Sequence, residues 1–184
     1  SVLVSSSVFA GVVSVGFSGS RSLPPAASAA LSRLLPLVPA GVRVSVGCAR
    51  GVDGACRSFF AGSSSLLVFS VASGRFGSGR SAFARRSCRC VLSVASGRFG
   101  LLVVVPAGGC PAGVVPSRSF SGRGSGSWGS LAFALGRGRR VLLWLPAGSR
   151  PPVWAGVSWS VSGVGRGCWW LGVPAPRVVS LSLF

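Results

Sequence analysis

Residues 42–55, VRVSVGCARGVDGA, decide how the chain reads. Across 42–46 the valines alternate with Arg43 and Ser45, the period of two that a half-buried strand requires. The run stops at Gly47-Cys48-Ala49-Arg50-Gly51, and a helix comes next, from Val52 and Asp53 through Phe59. Strand, glycine-bounded turn and helix make half of a βαβ unit. In such a unit glycine lets the backbone approach a ligand closely, and the helix N-terminus offers unpaired N–H groups to an anion.

Outward from that stretch the same alternation recurs. Before it, 12–17 is β-prone and leads through Ser18-Gly19-Ser20-Arg21 to a helix from Ser22, ended by 36–41. Pro24 and Pro25 fall in that helix's first turn, where a missing N–H costs little. After it come a strand over 66–71, a helix over 81–94 and a wholly apolar strand over 101–105, suited to the buried centre of a parallel sheet. A Gly/Pro/Ser loop (106–125), a helix (127–135) and a strand (141–145) complete the order. The pattern predicts an α/β fold: a Rossmann-like, doubly wound, mainly parallel five-stranded sheet with right-handed crossovers. We expect residues 1–10 to be a leader, 11–147 the domain, and 148–184 an irregular Gly/Pro/Trp-rich tail whose end, 178–184, pairs as an edge strand. The heptapeptide Val71-Ala72-Ser73-Gly74-Arg75-Phe76-Gly77 recurs at 94–100, a single pair and too few copies for a solenoid.

Composition narrows the partners. Of 184 residues, 19 are basic, every one an arginine, and Asp53 is the one acid, for a net charge of +18. Such a field favours polyanions: nucleic acid, nucleotide phosphates or an anionic membrane. Lys, Glu, His, Tyr, Asn, Gln, Ile, Met and Thr are all absent, the residues whose codons carry adenine at the first or second position. Adenine-depleted coding therefore accounts for the arginine usage as well as a need for guanidinium does. The 6 cysteines form no C-x-x-C pair and have no histidine to help them, so we expect no metal site and read them as small buried apolar residues. No run of about 20 strongly apolar residues suggests a spanning helix. The apolar N-terminal stretch lacks a basic flank, so the expectation is a cytoplasmic protein with no membrane partner.

Three glycine-rich turns carry the chemistry, and their order resembles the SLOG superfamily of nucleotide-binding proteins. Phe17-Ser18-Gly19-Ser20-Arg21 is similar to its first turn. Gly47-Cys48-Ala49-Arg50-Gly51-Val52-Asp53 resembles its second, the pattern also seen in DNA-processing protein A. Gly124-Ser125-Gly126-Ser127-Trp128-Gly129-Ser130 resembles the third, before a helix. The resemblance implies a nucleotide or nucleotide-derived ligand, held here by Ser18, Gly19, Ser20, Arg21, Gly47, Ala49, Arg50, Gly51, Asp53, Gly124, Gly126 and Ser127. In the DNA-processing branch it implies single-stranded DNA, for which Arg80, Arg85, Arg86 and Arg89 would supply a basic helical face. It also implies homo-oligomers; no cofactor is expected.

The sequence departs from the family's phosphoribohydrolases at one position. Their catalytic Glu falls, counted from Gly126, on Ser130, and a hydroxyl does not replace a carboxylate in acid–base work. The expectation is a ligand sensor without hydrolase activity. The alternatives are a single-stranded nucleic-acid-binding protein and, third, an N-glycosidic or phosphoribosyl hydrolase. Asp53 reads two ways: as a ligand contact, or as a first-turn carboxylate that favours the helix dipole and pairs with Arg50 or Arg57. Trp128 reads as a base-stacking ring or as core, Trp144 as core, and Trp169-Trp170 as closing an edge or an oligomer interface.

Overall fold

The apolar 101–105 run lies where such a run must, in the middle of a sheet covered on both faces. It forms most of β4 (Gly97–Val105) in a computed structural model that describes residues 7–162 and 168–176. The other strands are β1 (Ser14–Gly19), β2 (Arg43–Gly47), β3 (Leu66–Phe69), β5 (Arg139–Trp144), β6 (Val157–Val161) and β7 (Trp169–Pro174). Helices α1 (Pro25–Leu34), α2 (Val52–Phe59), α3 (Arg80–Leu92) and α4 (Gly126–Gly136) connect them. The protein is α/β, with strand order β3-β2-β1-β4-β5-β7-β6 in one sheet. β1 to β5 run parallel: Phe17 sits opposite Val46 on one side and Val103 on the other.

The sheet has seven strands, and the expected five is corrected by the hairpin β6–β7, which joins antiparallel to β5. Residues 157–161 read VSWSV, a plain period of two. The surrounding glycines, prolines and tryptophans mask that signal, so the 148–184 stretch is not an irregular tail throughout. The sheet continues across position 147, and Val8 and Phe9 are buried in the same core as β1. The edge strand expected at 178–184 lies outside the described residues.

Strand side chains alternate between two cores. Val15, Phe17, Leu101, Val103 and Val105 meet Ala27, Leu31 and Leu34 of α1 and Val52 and Cys56 of α2. Leu102, Val104, Val141 and Leu143 face the opposite way, against Val91 of α3 and the apolar side chains of α4. The chain therefore crosses from one face to the other between α2 and α3, and strand order reverses direction beside β1.

Helix α4 is unusual in being buried at every residue from Ser127 to Leu135. A helix apolar all round must be covered all round. The sheet covers its inner side, and the 106–125 loop wraps the outer one: Ser117 donates its N–H to the Ala132 carbonyl at 3.1 Å. Phe120 stands edge-on to Phe133 at 6.0 Å, and Trp154 edge-on to Trp128 at 6.4 Å. Trp128 is core, with its indole N–H donated to the Gly108 carbonyl at 2.9 Å, and Trp144 and Trp169 are core as well.

Candidate functional site

The turns after β1 and β2 and the start of α4 all leave the sheet at the carboxyl ends of parallel strands. There the backbone is stitched tightly. Ser20 donates its N–H to Val105 at 2.8 Å, and Val52 donates to the Ser20 carbonyl at 3.1 Å, so the first two turns hold each other. Gly51 has φ 70° and lies directly under the Ser20 carbonyl, so a side chain there meets both backbone strain and a collision. Gly19 is wedged between the Val52 side chain and the Val105 carbonyl. At α4, the Ser125 hydroxyl accepts the Trp128 N–H at 3.3 Å and its carbonyl accepts the Gly129 N–H at 2.9 Å. The N–H groups of Gly126 and Ser127, in the first turn, have no acceptor within the helix.

These turns surround a cavity of about 510 Å³. Of the residues read from the sequence as ligand-binding, Ser18, Gly19, Ser20, Arg21, Gly47, Ala49, Asp53, Gly126 and Ser127 line it. Arg50, Gly51 and Gly124 do not: Gly51 shapes the turn from behind, and Arg50 is exposed. Ser130 also lines the cavity, 2% exposed. Of the basic set on α3, Arg80 and Arg86 line the same cavity, whereas Arg85 and Arg89 line a separate groove beside β3. The four therefore do not form one exposed basic face.

Arg86 departs furthest from expectation. It is buried, and its Nη1 donates to Asp53 Oδ2 at 3.1 Å, the same oxygen that accepts the Ala49 N–H at 3.1 Å. Asp53 thus pairs with neither Arg50 nor Arg57; Arg57 instead donates to the Gly47 carbonyl at 2.7 Å. The Asp53–Arg86 pair crosses directly over Gly47, where a Cβ would collide with it. A charge pair this buried is braced by hydrogen bonds or it is costly. Here it ties the second turn to α3. A signal for it existed in the sequence: Ala82, Arg86 and Cys90 recur at the helical interval of four, and all three are buried. Arg86 therefore stands in an apolar stripe, where it needs a carboxylate, and the chain has one.

The wall around this pair is cationic, with Arg21, Arg80 and Arg86 against the single carboxylate. Arg21 stacks 5.8 Å over the ring of Phe83, itself 43% exposed at the cavity wall. Cys90 lines the cavity too, but burial, and secondarily the Asp53 charge, pushes its thiol up to about 12. A thiol so protonated is a poor nucleophile at neutral pH. Burial raises the neighbouring Cys56 as well. Among the described residues no group of three or more His, Cys, Asp or Glu could hold a metal ion, and no helix is long and apolar enough to cross a membrane.

Comparison with protein-family models, with curated proteins and with solved structures gives no match. The site is therefore read from its own geometry.

Proposed function

We propose that the protein is a Rossmann-like nucleotide-binding module of SLOG type, a sensor of a nucleotide or nucleotide derivative that does not hydrolyse it. The observation that carries this reading is convergence: three glycine turns, distant in sequence, edge one cavity with two unpaired helix N–H groups and an excess of arginine. Phosphate suits the N-terminus of α4, because backbone N–H groups and the helix dipole both favour an anion there. Arg21, stacked over the Phe83 ring, supplies a cation at the cavity wall, and the exposed ring adds an aromatic surface for a base. The site's titratable groups are ill-suited to hydrolysis. Asp53 is held by Arg86 and Ala49, Cys90 keeps its proton, and Ser130 has no neighbouring base.

One further observation favours a second reading, single-stranded nucleic acid. Ala84 and Phe120 line both the cavity and a groove of about 880 Å³, so the two lie side by side across those residues. Arg75, Arg85 and Arg89 line that groove with Phe69 and Phe76, a pairing of cation and ring that holds a strand without reading its sequence.

Isothermal titration of the full chain with a panel of mononucleotides and with a short oligothymidylate tests both. A sensor binds one or more mononucleotides at moderate salt, and Arg21→Gln weakens that binding by about tenfold, the worth of one charge-assisted hydrogen bond. No heat with any mononucleotide overturns the first reading. The second reading requires oligothymidylate to bind more tightly than any mononucleotide and to weaken steeply as salt rises; affinity indifferent to salt overturns it.

A further inference from the structure

At the opposite edge of the sheet, where the parallel strands begin, a second concavity of about 720 Å³ lies between the ends of α3 and α4 and the last residues of β7. Five arginines line it: Arg98, Arg118, Arg137, Arg139 and Arg140. No acidic side chain is near, because the chain's sole one, Asp53, is paired with Arg86 in the first cavity.

One of the five is fully engaged in holding the fold. Arg139 donates from Nε to Val94 at 2.7 Å, from Nη1 to Arg137 at 2.9 Å and from Nη2 to Leu92 at 3.2 Å. Those acceptors are backbone carbonyls at or just beyond the C-terminal ends of α3 and α4, where a cation is favourable. The others are not so used. Arg140 donates Nη2 to the Arg98 carbonyl at 2.7 Å, yet its Nε is buried with no partner. Arg137 lies 5.3 Å over the ring of Phe133, and its Nε is likewise buried without a partner. Arg98 stacks 5.0 Å over Phe99 and, with Arg118, stands exposed at the rim. Burial lowers the affinity of Arg139 and Arg140 for their protons, and the Arg137 charge adds to that at Arg139. Guanidinium groups gathered like this repel one another, and an anion among them relieves that repulsion.

We propose that this concavity binds a compact phosphate-rich anion, one carrying two or more adjacent phosphate groups. Guanidinium favours phosphate because its planar fork of donors matches two phosphate oxygens at once. Adjacent phosphates fit because the arginines converge on one hollow and bring more charge than a single phosphate would neutralise. The ligand is either a free oligophosphate or the phosphate tail of a larger molecule. The site is independent of the first cavity, at the other edge of the sheet.

The test uses inorganic triphosphate and the full chain carrying Arg21→Gln, which weakens the first cavity's contribution. We expect saturable binding, and a melting temperature raised by triphosphate beyond what chloride of equal ionic strength achieves. Adding Arg137→Gln and Arg140→Gln should weaken triphosphate binding about a hundredfold, two charge-assisted contacts at about tenfold each. Binding unchanged by the two substitutions overturns the proposal, and so does chloride matching triphosphate. A nucleoside triphosphate that binds far more tightly than triphosphate, and loses that margin with Arg137→Gln and Arg140→Gln, identifies the tail of a larger molecule; no such margin identifies the free oligophosphate. An oligothymidylate that binds more tightly than either, and loses that margin with Arg137→Gln and Arg140→Gln, would assign the hollow to nucleic-acid backbone and overturn compactness. Nucleotide binding at the first cavity is weakened by Arg21→Gln alone, so the two readings fail separately.

Discussion

Asp53 is the residue on which the candidate site's geometry turns, and its partner stands 33 positions away. Local spacing exposes contacts three or four residues apart, which is why Arg50 and Arg57 suggest themselves and Arg86 does not. That a lone carboxylate within a glycine turn matters was legible; that a buried guanidinium from α3 completes it was not, because helix-to-turn contact depends on how the sheet is wound. Replacing Asp53 by Asn leaves the Arg86 cation buried without its counter-charge. The expected loss is about 3–5 kcal/mol, the usual result of removing one member of a buried pair. Denaturant unfolding of the two proteins measures it, and a loss within error of zero would mean that water reaches Arg86. Double substitution, Asp53→Asn with Arg86→Leu, should recover part of the loss, because the stranded charge is gone.

At the scale of elements, the duplicated heptapeptide shows what sequence alone does and does not determine. In the first copy Val71–Ser73 form a 3-10 turn, and in the second Gly97 opens the long strand β4. Both copies place their first glycine at positive φ, 74° at Gly74 and 62° at Gly97, so the glycine sets a local bend in each. Beyond that bend, tertiary partners decide the conformation: the second copy finds β1 and β5 to pair with, and the first does not. The same dependence hid β6 and β7, which become strands by pairing with each other and with β5. The strands β1 to β5 and the four helices were legible because their periods repeat between glycine punctuation.

The wrapped helix α4 makes an element-scale prediction. Gly129 lies against the backbone carbonyl of Ser121, and backbone cannot swing aside as a long side chain can. A methyl group there forces the 106–125 loop outward, so Gly129→Ala should cost about 1–3 kcal/mol, typical of overpacking. Phe120 and Gly122 of that loop line the first cavity, so if the proposed function holds, nucleotide affinity should fall along with stability. Thermal melting and titration of the same variant check both, and a variant that loses neither would show that the loop has room to yield.

For the molecule as a whole, no histidine, lysine, tyrosine or glutamate is present, so charge is nearly constant around neutral pH and the side chains that titrate on the alkaline side are the cysteines. Stability at alkaline pH is therefore governed by the buried thiols. Cys90 keeps its proton in the folded protein until about 12, whereas an ordinary thiol releases it near 9.0, and Cys56 is shifted the same way. Between those values the unfolded chain binds fewer protons than the folded one, so stability falls as pH rises; below 9.0 the contribution is fully present. The melting temperature should decline across that window, and Cys90→Ala should make the decline shallower. A slope identical in the two proteins would mean that Cys90 is reached by solvent.

The sheathing of α4 has one more consequence. Sensors commonly close on their ligands by swinging a helix end or a loop, giving up motion as they bind. A helix packed on every side from Ser127 to Leu135 has little such motion left, and its first turn is expected to occupy the same place whether the cavity is filled or empty. The Gly126 and Ser127 N–H groups are then a fixed post against which an anion is set down. The conformational freedom that ordering would sacrifice was surrendered when the chain folded, and recognition at that end begins from a finished surface.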